Sequence, residues 1–274
     1  MSTNPFYSPV VSLDIRPGGY AVLTLQKEPV NSLDLSAWQA LEAALDQLEA
    51  DSSISGVIFA SGLKRDVFSA GNDLMELYAP RTTEQRYTEF WEVSNRFLAK
   101  LHNSRLSTIA AIRGACPAGG CIIAMCCDHR VMSSQGSIGL NEVQLGIPVP
   151  KYWGMLMTRL IGQKAADKLL LTGKLATSQE AKQLGLVDEL VPKDQLVSAA
   201  EAVMLKLVML PSCAVAASKK SLRDDFCQDW IKYSKEEPAG AWKFLCQEDT
   251  LKTLEAALQR LSGNKNTSKA ASKL

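Results

Sequence analysis

Two hydrophobic periods alternate along the first half of the chain, and few folds accommodate that alternation. Val10 to Ile15 and Tyr20 to Leu25 are apolar-rich runs of strand length, separated by Arg16-Pro17-Gly18-Gly19, whose Pro and Gly suit a hairpin turn. The period then changes. Leu35, Trp38, Leu41, Leu45 and Leu48 recur at three- and four-residue spacing, which places them on one face of a helix from Leu35 to Ala50, with Asn31-Ser32 as its start signal. Gly56 to Ser61 reads as a buried strand, Glu84 to Leu101 as a helix, Thr108 to Arg113 as a strand ending at Gly114, and Gly119 to about Cys127 as a helix. From Gly162 onward the pattern is almost all helical, interrupted by an extended stretch from Gly185 to Pro192. Strand, strand and helix in recurring order predict an α/β fold.

A chain of 274 residues can build one large domain, or a core domain with an appendage. Its net charge is +1, and the last 13 residues hold three Lys and no acid, which leaves the other 261 residues at −2. So neutral a body lacks the clustered cations that nucleic acid requires. Seven Cys are an odd number without framework spacing, and the adjacent Cys126 and Cys127 point about 100° apart on a helix, poor geometry for a shared metal. Buried free thiols, no metal site and a reducing compartment are expected. No stretch reaches the ~18 to 20 apolar residues of a membrane span; Ala115 to Cys127 stops at Asp128-His129-Arg130. Met1 to Ser12 holds two Pro and no Arg, so neither a secretory nor a transit segment is read there. The chain ends in Ser272-Lys273-Leu274, the peroxisomal import address, on a flexible arm from Gly263 to Ser268. The expectation is a peroxisome or a related organelle (glycosome), with the import receptor as a partner.

Two His, His102 and His129, give a Ser-His-Asp triad or a His-rich metal site little material, and no phosphate-loop or dinucleotide glycine motif occurs. The informative parts are two small-residue turns and one carboxylate. Phe68-Ser69-Ala70-Gly71-Asn72-Asp73 and Gly114-Ala115-Cys116-Pro117-Ala118-Gly119-Gly120-Cys121 can each present bare backbone N–H groups, the second at a helix start where the dipole favours negative charge. Taken alone, either turn reads first as a tight packing turn. Converging on one carbonyl oxygen, they would form an oxyanion hole. Glu142, in Gly139-Leu140-Asn141-Glu142-Val143-Gln144-Leu145-Gly146, is a lone carboxylate among apolar and amide neighbours.

Those residues carry a family resemblance. Phe68 to Leu74 resembles the first oxyanion segment of the crotonase (enoyl-CoA hydratase/isomerase) superfamily, and Ala111 to Asp128 its second. Leu171-Thr172-Gly173, Ala181, Gly185 to Asp188 and Val191-Pro192 are similar to the segment after the catalytic region, so the likeness runs in order over roughly residues 10 to 260. Within the superfamily, Cys116 to Cys121 and Gly139 to Gly146 look most like monofunctional Δ3,Δ2-enoyl-CoA isomerases of the mitochondrial type.

The resemblance implies a spiral of strand–strand–helix turns over residues 1–200, holding the acyl-CoA site. A helical C-terminal region, 201–261, would serve assembly as a homotrimer, and 262–274 would be a flexible tail with the targeting signal. Trp242, Phe244, Leu245, Leu251, Leu254 and Leu258 offer apolar helical faces, which suit either that assembly or the chain's own core. The resemblance further implies that the amides of Ala70 and Gly119 hold a thioester oxygen and that Glu142 is the catalytic base. Ala70, Gly71, Asn72, Asp73, Leu74, Gly119, Ile122 and Asn141 would line the substrate site, and coenzyme A, part of the substrate, would be the only cofactor-like group. Hydratases of the family carry a second Glu where this chain has Ile122. Double-bond transposition in unsaturated fatty-acid β-oxidation is therefore expected, with a hydratase or a non-catalytic acyl-CoA or RNA-binding relative as alternatives.

Overall fold

The computed structural model describes residues 8–271, with side chains described as far as Arg260. The hairpin forms as read: β1 (Val11–Arg16) pairs antiparallel with β2 (Tyr20–Leu25). From β2 onward a pattern repeats. A strand of the main sheet leads to a two-residue strand of a second, small sheet and then to a helix. The first such turn is β2, β3 (Ser32–Leu33) and α1 (Leu35–Ala50), and the second is β4 (Gly56–Ser61), β5 (Gly71–Asn72) and α2 (Glu84–His102). In the third, the far end of the long β6 (Ser107–Pro117) takes the place of the short strand and leads into α3 (Gly119–Cys126); β7 (His129–Gly139) comes next. Strands β2, β4, β6 and β7 pair in parallel in that order, as do β3 and β5, so the path winds as a spiral. Helices α4 (Lys151–Ile161) and α5 (Gln163–Leu170) lead to β8 (Ala176–Thr177), α6 (Ser178–Leu184) and β9 (Glu189–Val191), the two strands both pairing with β7. Four helices close the chain: α7 (Leu196–Val208), α8 (Ser212–Ser234), α9 (Glu237–Leu245) and α10 (Glu248–Ala271). Among the described residues, no single helix is long and apolar enough to cross a membrane.

One boundary differs from its sequence signal for a tertiary reason. Helix α1 is capped by Asp34, whose carboxylate accepts from the Ala37 amide at 2.9 Å, and not by Asn31-Ser32. Ser32 pairs with Gly71 across the small sheet, and its hydroxyl donates to Asp73 at 3.1 Å. That pairing outweighs a local capping preference.

The core has two parts. The larger packs α1, α2 and α3 against one sheet face, and the smaller sets Ile58, Ile109 and Val131 of the other face beneath Leu196, Ala200 and Met204 of α7. Cys116, Cys121, Cys126, Cys127 and Cys227 are buried free thiols, as expected, whereas Cys213 and Cys246 are exposed. Two polar hubs tie the later helices to this core. The Asn95 side-chain oxygen accepts from the Trp153 and Trp230 indoles (3.1 and 2.9 Å), joining α2, α4 and α8. Asp128 accepts from Lys219 (2.8 Å), Arg223 (2.7 Å) and the Thr108 amide (2.8 Å). Burial alone would raise its carboxyl, but Lys219 and Arg223 hold it below the ordinary value. His102 is enclosed near this hub, and burial pushes it down to about 4, so it is neutral at pH 7.

A bend in β6 positions the start of α3. The register of β6 against β7 shifts between Ile112 and Gly114, where φ is +68°, and a Cβ on Gly114 would lie 2.0 Å from the Asp66 carbonyl oxygen. The bend brings Ala115 alongside Val67, with Ala115 N–H donating to Asp66 O (3.1 Å) and Phe68 N–H to Ala115 O (2.8 Å). Only glycine fits there. Gly114→Ala is expected to lower stability by about 3 kcal/mol or more, measured by urea unfolding; wild-type stability in that variant would contradict this account of the bend.

Candidate active site

Beyond the bend, the two small-residue turns lie against each other. Ser69 fixes the first: its hydroxyl donates to Asn31 O at 2.7 Å and accepts from the Gly71 amide at 3.0 Å. Gly71 has φ +86°, and a Cβ there would stand 2.9 Å from Ala118 Cβ and 3.2 Å from the Gly119 nitrogen. The absent side chain is what lets the turns touch. In the second turn Ala118 adopts φ 47°, ψ −117°, a conformation that costs a non-glycine residue about 1 kcal/mol or more. Its amide donates to Gly139 O at 2.8 Å, and Ile122 N–H is bonded to Ala118 O at 3.0 Å. Gly119 is the first residue of α3, so the helix provides no acceptor for its N–H.

The two amides expected to act as a pair are not equivalent. The Ala70 N–H donates to Val30 O at 2.9 Å, so it is already engaged, while its side chain faces the cavity. A neighbouring segment occupies the acceptor position that the sequence left open for a ligand.

Glu142 opens a 3-10 turn (Glu142–Leu145) that continues from β7 through Leu140 and Asn141 and ends at Gly146, φ +73°. The buried Thr250 of α10 donates its hydroxyl to Gly146 O at 3.2 Å and pins this turn from outside. Glu142 is 4% exposed, and among the described residues neither carboxylate oxygen has a hydrogen-bond partner on another residue; the same holds for the Asn141 side-chain oxygen. Burial without a counter-charge raises its pKa from 4.5 to about 7. A carboxyl poised there can both take and return a proton at neutral pH.

These groups face a cavity of about 740 Å³. Its wall includes the exposed Pro29, Arg65 and Ala70, then Asn72, Asp73, Leu74, Asn141 and Glu142, and the buried Tyr87, Trp91 and Trp153 with half-buried Phe244 and Leu258. Gly71 and Gly119 are buried directly beside Ala118, which stands on the cavity wall, and Ile122 is fully enclosed in the core. Beyond residue 200, Glu237, Ala241, Phe244, Leu245 and Leu258 also line the cavity. Leu245 and Leu254 are buried in this chain's own core. The aromatic wall escaped sequence reading because its residues sit at helical spacing on three helices and resemble ordinary core. Tyr87 and Trp91, one helical turn apart, were the available signal.

A family model for enoyl-CoA hydratase/isomerase matches residues 16–261. The chain belongs to this family. Mitochondrial enoyl-CoA delta isomerase 1 of Mus musculus is 36% identical over 251 residues, 91% of this chain and 86% of the mouse protein. The crystal structure of human mitochondrial delta3-delta2-enoyl-CoA isomerase has a TM-score of 0.89 with this fold at 33% identity, over 93% of this chain and 99% of that one. A short-chain-enoyl-CoA hydratase of Clostridium acetobutylicum is 32% identical over 76% of this chain and 78% of its own length. The peroxisomal or glycosomal expectation is overturned here: the mouse, rat and human relatives are mitochondrial proteins. It rested on Ser272-Lys273-Leu274, which lie outside the described residues.

The uncompensated burial of Glu142 has a consequence for stability. Between pH 4.5 and about 7 the folded protein keeps a proton that the unfolded chain releases, so stability falls as pH rises through that window. Above it the full deficit applies, roughly 3 kcal/mol. Glu142→Gln removes the titrating group, so its gain in melting temperature over wild type is expected to be larger at pH 8 than at pH 5. An equal gain at both values would contradict the buried, unpaired carboxylate.

Proposed function

We propose that this protein is a Δ3,Δ2-enoyl-CoA isomerase, converting 3-cis- or 3-trans-enoyl-CoA into 2-trans-enoyl-CoA in unsaturated fatty-acid β-oxidation. The observation that carries the reading is the carboxylate of Glu142 on the cavity wall, unpaired among the described residues, with aliphatic Ile122 where the family resemblance places a hydratase's second Glu. Water addition requires a nucleophile held and deprotonated by placed acceptors. Transposition requires one group that moves a proton between two carbons.

In this mechanism the thioester oxygen takes the Gly119 N–H and shares the Ala70 N–H with Val30 O in a three-centre bond. The Glu142 carboxylate removes a proton from C2, and the electron pair moves into a dienolate whose charge rests on the held oxygen. The carboxylic acid so formed returns the proton to C4. The C2=C3 bond forms as the C3=C4 bond is lost, and Glu142 is again a carboxylate. Each oxyanion donor contributes about 3 kcal/mol to the transition state. Asn72, Asp73, Leu74 and Asn141 border the acyl group, and coenzyme A enters as part of the substrate with no further cofactor in any step. Exposed Leu205, Met209, Leu210 and Leu222, on and beside α7 and α8, support use of the helical region 201–261 in assembly. The homotrimer is the state that the family resemblance implies.

Isomerisation of 3-hexenoyl-CoA, compared with hydration of crotonyl-CoA, tests the reading. Wild type is expected to isomerise far faster than it hydrates. Glu142→Gln should lower kcat about 10²–10⁴-fold with little change in KM. Full activity in that variant, or hydration as the faster wild-type reaction, would overturn the proposal.

A further inference from the structure

Besides Glu142 and Asp73, the cavity wall holds a further carboxylate that the chemistry above does not use. Glu237, the first residue of α9, lies on the cavity wall amid Trp91, Trp153 and Phe244. Its Oε2 accepts from the Trp91 indole N–H at 2.9 Å and its Oε1 from the Lys151 backbone N–H at 3.3 Å. A carboxylate has about four acceptor directions, so these two donors leave capacity unfilled. The Lys151 ammonium sits 4.5 Å from the centroid of the Tyr233 ring, and its charge acts on Glu237 without a direct ion pair among the described residues. Burial raises the Glu237 carboxyl against the lowering effect of the Trp91 and Lys151 donors.

Glu237 and Glu142 stand at the two ends of one stretch of wall. Leu145, Ile147, Pro148, Val149 and Pro150 line the cavity in sequence after Glu142, and the next residue, Lys151, is the one bonded to Glu237. With the thioester at Glu142 and the coenzyme beside the exposed Arg65, the rest of the acyl chain follows this stretch toward Glu237. That direction rests on the proposed function.

We infer that Glu237 reads the far end of the acyl chain: it favours tails that end in a hydrogen-bond donor such as an ω-hydroxyl, limits the length of methyl-ended tails and rejects ω-carboxylates. The chemistry is that of a half-buried acceptor. A terminal methyl placed against it removes water from the carboxylate and supplies no hydrogen bond. A hydroxyl supplies one. A second carboxylate adds repulsion at short range.

Binding of saturated acyl-CoAs, which cannot be isomerised, tests this separately from turnover. Calorimetry would compare hexanoyl-, decanoyl-, 10-hydroxydecanoyl- and 9-carboxynonanoyl-CoA on wild type, Glu237→Gln and Glu237→Leu. Wild type should bind the hydroxylated ten-carbon tail about tenfold more tightly than the methyl-ended one, and the carboxylated tail most weakly of the three. Glu237→Leu should reverse the first preference, and Glu237→Gln, which keeps an acceptor for Trp91, should relieve rejection of the carboxylated tail. Hexanoyl-CoA should bind all three proteins alike. Unchanged ratios among the ten-carbon tails in both variants would overturn the inference, as would an equal weakening of every ligand, which marks a purely structural tether. The isomerase reading fails or stands on 3-hexenoyl-CoA turnover alone, so the two failures are distinguishable.

Discussion

The site depends on a contact between two turns that no side chain could separate without harm. Gly71 and the Ala118-Gly119 pair approach so closely that a Cβ at Gly71 would stand 2.9 Å from Ala118 Cβ. Gly114 makes that approach available upstream, by letting β6 bend within reach of Asp66. Once these turns touch, the start of α3 faces the same space as the Ser69-Ala70 turn, and β7 delivers Glu142 to the cavity they border. The spiral order of strands supplies the framework, because each turn of chain places its strand-to-helix passage beside the previous one.

Electrostatics within this framework are unevenly compensated. Asp128 is buried and surrounded by Lys219, Arg223 and the Thr108 amide, which holds α8 to the sheet. Glu142 is buried with no such partner. The same physical event, loss of water around a carboxylate, is thus stabilised in one place and left uncompensated in another. A protein that carries an unpaired carboxylate at a cavity wall accepts a stability deficit where a proton must move, a common relation between strained sites and activity. Thr250 and Gly146 show how that deficit is contained, since the hydroxyl of α10 restrains the turn that bears Glu142.

Much of the fold was legible because local periodicity and local chemistry agreed. Leu35 to Ala50 repeats at helical spacing, and Pro17-Gly18-Gly19 can do little but turn. Strand β7 was not legible: Ser133-Ser134-Gln135-Gly136-Ser137 has no apolar run, and its conformation is set by β6, β8 and β9, distant in sequence. The two-residue strands β3 and β5 exist only through each other. At the site, Glu142 stood out as a lone carboxylate, whereas the Ala70 turn suited a packing turn as well until it was set beside the second turn and the family resemblance. The engagement of Ala70 N–H by Val30 O, the burial of Ile122 and the aromatic wall closed by α9 and α10 are tertiary facts, and no spacing rule announces them.

The central claim is that one enclosed carboxyl carries a proton from C2 to C4. Converting 3-hexenoyl-CoA in D₂O and locating the label in the product by NMR tests it most directly. Because Glu142 is 4% exposed, a measurable share of product is expected to keep protium at C4, delivered from C2 before exchange with solvent. Complete deuteration at C4 from the first turnovers would contradict a single-carboxyl shuttle in a closed site.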